Sequence, residues 1–277
     1  MMRIYRYWFE KQGEVLLPDG SSQPSRVFGY SNDSPEEARE TAERNFTALR
    51  TRLGGKGGAW SYDARPIREE IVRELSPENI VTRNRYGADV LNSETLIFVD
   101  IDGFRPSSPS LLETLRVLFS GTMRRTAEER SLERIRKTAS RPEYAQNPIR
   151  VYRTSAGFRL IVQGTGFVPG SKETRALMRA FDADRLYAAL CDTQKCFRAR
   201  LTPKPYRVRQ HGRKFLWPRP EAEEKEAAEW LDSYRKKSES YAVCRYIETL
   251  NGSGECSDPI VQFHDEATRA RSGNKLA

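Results

Sequence analysis

The sequence predicts an α+β fold. Short segments of strand character alternate with stretches of helical periodicity that carry recognisable caps. Strand pairs are joined by tight turns as well as by crossovers, as at Thr154-Ser155-Ala156-Gly157, and that mixture suits a mixed or antiparallel sheet with helices. The run Leu96-Ile97-Phe98-Val99 is unbroken and apolar, the pattern of a central strand buried on both faces.

Arg3 to Glu10 is rich in aromatic residues and reads as a strand, Leu17 to Ser21 is turn chemistry, and Ser25 to Tyr30 reads as a second strand. Ser34 is placed to N-cap a helix with Pro35 at its first position and Glu37 completing a capping box. Ala38, Ala42, Phe46 and Leu49 give that helix its apolar face, and Gly54 to Gly58 ends it. Ile67 to Leu75 reads as a short helix. Ile80 to Thr82 and Val90 to Leu91 read as short strands around Arg83 to Gly87, and Thr95 to Ile101 as the strongest strand. Ser110 to Ser120 reads as a helix and Thr126 to Ala139 as a basic, solvated one. Ile149 to Arg153 and Arg159 to Gln163 pair as strands. Ser171 caps a helix to Phe181, Asp184 to Leu190 is helical or irregular, Phe197 to Leu201 is a strand, and Glu221 to Tyr234 is an acidic-faced helix. From about Ala267 the chain reads as frayed. The expected organisation is an N-terminal β-β-α elaboration over 1–80, a core over 81–220, and a C-terminal helical segment over 221–277.

The 277 residues suffice for one large domain or two small ones, and 10% aromatic content builds a core despite 31% charged residues. No apolar stretch approaches a membrane span of about 18 residues, and Arg3 and Arg6 interrupt the N-terminus, so no secretory signal is expected. Four cysteines without a tight pattern suit a reducing cytoplasm. A net charge of +9 favours polyanionic partners, nucleic acid or nucleotide phosphates. Positive charge is dense from Arg124 to Arg141 and from Arg198 to Lys214, whereas Glu221 to Glu229 is acidic.

Asp100 and Asp102 end the apolar strand. Residues two apart on a strand share a face, so both carboxylates can converge. Converging negative charges call for a cation between them, and oxygen-only ligands favour Mg²⁺ or Mn²⁺. Such sites run phosphoryl and nucleotidyl transfer. The alternative is one solvent-facing Asp100 and a turn-forming Asp102 before Gly103.

Downstream, Val151-Tyr152-Arg153-Thr154-Ser155-Ala156-Gly157-Phe158-Arg159-Leu160-Ile161-Val162 is strand-turn-strand. Over roughly Arg83 to Arg207 the chain resembles the archaeo-eukaryotic primase superfamily, most nearly its primase-polymerase branch. That family has a strand ending in two acids, a Ser-Gly-rich turn into a strand with a functional His, a third acid, and an Arg-rich strand. Ser155 to Arg159 matches the turn, Asp184 (with Asp182 as rival) falls where the third acid is expected, and Phe197-Arg198-Ala199-Arg200-Leu201-Thr202-Pro203-Lys204 resembles the basic strand. The resemblance implies a recognition-motif-like central sheet flanked by helices, with Asp100, Asp102 and Asp184 as catalytic metal ligands. It also implies nucleic acid (DNA or RNA) and nucleoside triphosphates as partners, with Ser155, Arg153, Arg159, Arg198, Arg200 and Lys204 facing phosphates. The sequence departs from the family at Arg159, which stands at the position of the His. Arg stays protonated and cannot act as a base, but its fork can hold a triphosphate.

Two other readings compete. A non-catalytic nucleic-acid- or nucleotide-binding protein on the same core would keep the basic surface, with Tyr86, Tyr206 and Trp217 available to stack bases. A haloacid dehalogenase-type phosphatase also places two Asp around one residue after an apolar strand, but Phe104 follows Gly103 where a Thr is usual. Cys191, Cys196 and His211 lack the usual zinc spacing, and buried free thiols are the commoner outcome.

Overall fold

The computed structural model describes residues 2–56, 66–103, 126–164 and 166–277; the helix expected over Ser110 to Ser120 lies outside them. β1 (Tyr7–Leu16) and β2 (Ser22–Ser31) form an antiparallel hairpin, against which α1 (Pro35–Thr51) packs. The approach is close because Gly29 has no side chain: a Cβ there would lie 2.0 Å from the Ala38 carbonyl oxygen. Ser34 Oγ accepts from the Glu37 N–H at 3.1 Å, as expected of the cap. Glu37 takes a hydrogen bond from Ser31 Oγ at 2.5 Å, so its carboxylate ties the helix to β2 and the capping box stays half formed.

The chain continues through β3 (Glu70–Ser76), β4 (Asn79–Arg83), β5 (Asp89–Ser93), β6 (Ile97–Asp102), α2 (Ala127–Ala139), β7 (Ile149–Thr154) and β8 (Gly157–Val162). Then come α3 (Lys172–Ala180), α4 (Arg185–Gln194), β9 (Phe197–Arg200), α5 (Glu224–Ser238), β10 (Tyr241–Ala242), β11 (Cys244–Leu250), α6 (Pro259–Thr268) and β12 (Lys275–Leu276). The result is α+β, with two four-stranded antiparallel sheets ordered β3-β4-β5-β9 and β11-β7-β8-β6.

β3 corrects the helix expected over Ile67 to Leu75. Ile67, Ile71 and Leu75 are spaced by four, which fits one helix face and one strand face alike. Pairing with β4 decides for the strand, with register shifts after Ile71 and Glu74.

In the second sheet β6 and β7 are parallel to each other and flank β8, antiparallel to both. With α2 in the connection this is a split β-α-β unit. Ile97, Phe98, Val99, Leu160 and Ile161 are each 0% exposed, as the continuous apolar run predicts. One face carries Val99, Leu160 and Val151 and receives α2, which Thr138 Oγ1 links to the Ala180 carbonyl at the end of α3. α2 has a complete Thr126–Glu129 capping box and buries Ile135 and Ala139, so it is half core, not merely solvated. The other face carries Phe98, Asp100, Arg159 and Tyr152 and is covered by α6.

The end of the chain is held, not frayed. The Ala277 N–H donates to the Ala242 carbonyl at 3.0 Å, β12 pairs with β10, and β11 supplies a strand of the second sheet. Among the described residues no helix is long and apolar enough to cross a membrane.

Candidate phosphate-binding corner

Alternation in β6 puts Asp100 and Asp102 on one face, as the sequence predicts, and the sheet register sets Arg159 of β8 opposite Asp100. The Arg159 Nε donates to Asp100 Oδ1 at 2.9 Å and Nη2 reaches Oδ2 at 3.4 Å. Nη1 donates to the Arg200 carbonyl at 2.9 Å. Arg159 therefore ties β6 to the end of β9. Its side chain is 3% exposed and that of Asp100 is 27% exposed, so the carboxylate faces outward from a buried cation. Burial works against the Arg159 charge, but Asp100 together with Cys244 and Tyr187 holds the guanidinium above its ordinary value.

β6 is the edge of its sheet, and its outward carbonyls are satisfied by α4. The Asp184 N–H donates to the Asp100 carbonyl at 2.9 Å and Tyr187 Oη donates to the Phe98 carbonyl at 2.9 Å. Tyr187 Oη also accepts from the Arg198 N–H at 3.3 Å, so it bridges β6 to β9. This hydroxyl and Arg159 are what hold the two sheets' edges together at the corner.

The turn between β7 and β8 closes the corner from another side. Thr154 Oγ1 accepts from the Gly157 N–H at 3.0 Å, and the Gly103 N–H donates to the Ala156 carbonyl at 2.9 Å, next to Asp102. Arg207, in the 3₁₀ turn Pro205–Val208 after β9, donates to Ser155 Oγ. Ser155, Arg159, Arg200 and Arg207 thus gather around the Asp100–Asp102 edge. Burial and then the neighbouring Arg159 cation lower the pKa of Arg200, with Arg207 adding to them and Asp100 opposing. The Arg200 side chain makes no hydrogen bond or ion pair among the described residues.

Other expected residues lie elsewhere. Arg153 shares a face with Val151 and pairs with Glu128 of α2 at 2.6 Å, on the far side of the sheet from Asp100. Arg198 does share a face with Arg200, but Glu69 neutralises it at 2.6 Å. Lys204 sits half-buried at the N-terminal edge of the Arg207 turn.

The three acids do not fit a metal cage as they stand. Asp100 is engaged by the Arg159 fork, and the Asp184 carboxylate N-caps α4 by accepting from the Tyr187 N–H at 2.7 Å. Only the exposed Asp102 carboxylate is without a hydrogen bond or ion pair among the described residues. Among those residues no group of three His, Cys, Asp or Glu side chains is placed to hold a metal ion. Cys191 and Cys196 are buried thiols pushed up to about 11 and about 12, chiefly by burial, and His211 is exposed.

The sequence reading missed what lies behind Arg159. His264 Nε2 stands 3.4 Å from Arg159 Nη1, and His264 Nδ1 stands 3.1 Å from Asp265 Oδ1. Asp265 accepts from Tyr152 Oη at 2.7 Å and from Arg150 Nη2 at 2.9 Å. The available signal was polar Arg150 and Tyr152 alternating within an otherwise apolar strand. Comparison with protein-family models, with curated proteins and with solved structures finds no match.

Proposed function

We propose that this protein binds the phosphates of nucleic acid or nucleotides at the corner where β9 crosses the end of β6, on a primase-polymerase-like core. Arg200 carries the reading: a largely desolvated guanidinium beside Arg159 and Arg207, with no ion-pair partner among the described residues. Arg159 neutralises Asp100, so an approaching phosphate meets a surplus of positive charge. Arg207 and the Ser155 hydroxyl are the further donors, and the net charge of +9 favours the approach of a polyanion.

The test is binding of a labelled single-stranded oligonucleotide and of a labelled nucleoside triphosphate to the wild type, R200A and R153A. Arg153 is the control, because it points to the opposite face of the sheet. Binding lost in R200A and retained in R153A supports the corner; equal loss in both overturns it.

A second reading is metal-dependent nucleotidyl transfer with Mg²⁺ or Mn²⁺. The observation in its favour is that Asp100 and Asp102 share a face beside the Ser155 turn, with Asp102 exposed. Its residues would be these two acids, and it requires Asp100 to exchange the Arg159 fork for a metal. Metal-dependent incorporation of labelled nucleotide that vanishes in D100N/D102N would establish it, and oligonucleotide binding without incorporation would leave the binding protein.

A further inference from the structure

The polar face of the second sheet holds a continuous chain of charge under α6. It runs from Asp100 through Arg159 and His264 to Asp265, which Tyr152 and Arg150 also hold. His264 and Tyr152 are 0% exposed, Arg150 1% and Arg159 3%. Two guanidinium cations and two carboxylates balance, and the imidazole sits between the pairs.

Hydrogen-bond chemistry fixes the state of that imidazole. A guanidinium only donates, so the contact with Arg159 Nη1 requires a lone pair on His264 Nε2. The proton then resides on Nδ1 and is donated to Asp265 Oδ1. Asp265 therefore selects the tautomer, in the way a carboxylate orients a histidine elsewhere. The Phe98 and Tyr152 rings, at centroid distances of 5.7 and 5.1 Å, hold the imidazole from either side.

The consequence falls on Arg159. Its Nη1 carries two hydrogens, one for the Arg200 carbonyl at 2.9 Å and one for His264 Nε2 at 3.4 Å. With Nε on Asp100, the guanidinium plane is fixed on three sides. The Arg200 carbonyl is thereby held, and with it the backbone from which the Arg200 side chain departs. Well-packed apolar side chains would serve stability here as well as an ionic chain does.

We infer that His264 and Asp265 are positioning residues: through Arg159 they hold the end of β9 so that Arg200 faces the phosphate. The inference rests on the phosphate-binding reading above. It requires that His264 act on the ligand only by way of Arg200.

A double-mutant cycle on a labelled oligothymidylate tests it, with wild type, H264F, R200A and H264F/R200A compared at one salt concentration. Phe fills the space between Phe98 and Tyr152 but offers no lone pair. The expected result is a loss of about ten-fold in H264F, the scale of one charge-assisted contact. H264F/R200A should bind no more weakly than R200A alone. H264Q, whose amide oxygen restores an acceptor, should recover most of the affinity. Circular dichroism confirms that each variant is folded; if H264F is not, D265L replaces it in the same cycle, since it removes the group that selects the tautomer. Wild-type binding with no loss in H264F, or losses that simply add in the double variant, overturns the positioning role and leaves the phosphate reading standing. Absence of oligonucleotide and triphosphate binding in the wild type overturns both.

Discussion

Replacing Asp100 by Asn removes the charge from the Arg159 pair while keeping its shape. Arg159 is 3% exposed and would be left as a buried cation without its counter-ion. Removing one partner of a buried pair costs about 3–5 kcal/mol. Water reaches the Asp100 carboxylate, which is 27% exposed, so the low end, about 3 kcal/mol, applies. Unfolding entropy of about 2.1 cal/mol/K per residue gives about 0.6 kcal/mol/K for 277 residues, and the expected fall in Tm is about 5 °C. The partner variant R159M leaves Asp100 free to take water but gives up the bonds to the Arg200 carbonyl and His264. If the two side chains stabilise each other, D100N/R159M will be more stable than the sum of the single changes by about 1–3 kcal/mol. Urea unfolding of the four proteins measures this directly. Single effects that add within about 0.5 kcal/mol would refute the claim that Asp100 and Arg159 form one electrostatic unit.

Acidification should unfold the protein through the same network. Burial, then the Arg159 cation, hold His264 below its ordinary value, with the Asp265 hydrogen bond opposing. Burial raises Asp265, but the hydrogen bonds from His264 and Tyr152, together with the electrostatic pull of His264 and Arg150, keep it low. Both groups bind protons more readily in the unfolded chain, so both contribute stability that is present at neutral pH and lost as pH falls. The loss begins near pH 6.5 with His264, at up to about 1.4 kcal/mol per pH unit, and Asp265 joins below about pH 4. H264Q should flatten the urea midpoint between those values; an unchanged slope would mean that His264 already titrates normally. In salt titrations of oligonucleotide binding, R200A should lower the slope of log K against log salt by about 0.7–1, and R153A should leave it unchanged. Gly157→Ala would put a Cβ 1.9 Å from the Ile101 carbonyl oxygen and should cost about 1–3 kcal/mol in urea unfolding. Gly54→Ala, with nothing within 4 Å of its added Cβ, should change it by less than about 0.5 kcal/mol.

The strand bearing the acids was legible because burial on both faces leaves an uninterrupted apolar run. The caps at Ser34 and Ser171 were legible because they are local chemistry. Ile67 to Leu75 misled because a spacing of four satisfies two periods, and only the partner strand β4 decides between them. At the corner, Asp100, Asp102, Ser155, Arg159 and Arg200 could be listed from the sequence, since alternation and one hairpin bring them together. What could not be read is how their charges are matched. Glu69 neutralises Arg198, while Arg200, on the same face, has no carboxylate partner among the described residues. Both outcomes depend on packing between segments far apart in the chain. The turn after Arg153 sets it opposite Phe158 and so turns it to the helical face. His264 lies on an ordinary helix, and its meeting with Arg159 follows from how α6 covers the sheet.

β11 and α6 follow β6, β7 and β8 in the chain and cover them. A nascent chain exposed on the ribosome only as far as Ser240 has β6, β7 and β8 but neither the helix over their polar face nor the strand beside β7. Asp100 and Arg159 then remain hydrated, and parting them costs little. Arrival of α6 dries the pair and brings His264 behind it, so the corner reaches its final geometry only after Pro259 to Thr268 have been made. Such non-local closure is slow on the scale of folding, and chains that stop short of Cys244 are expected to carry every corner residue without the structure that orients them.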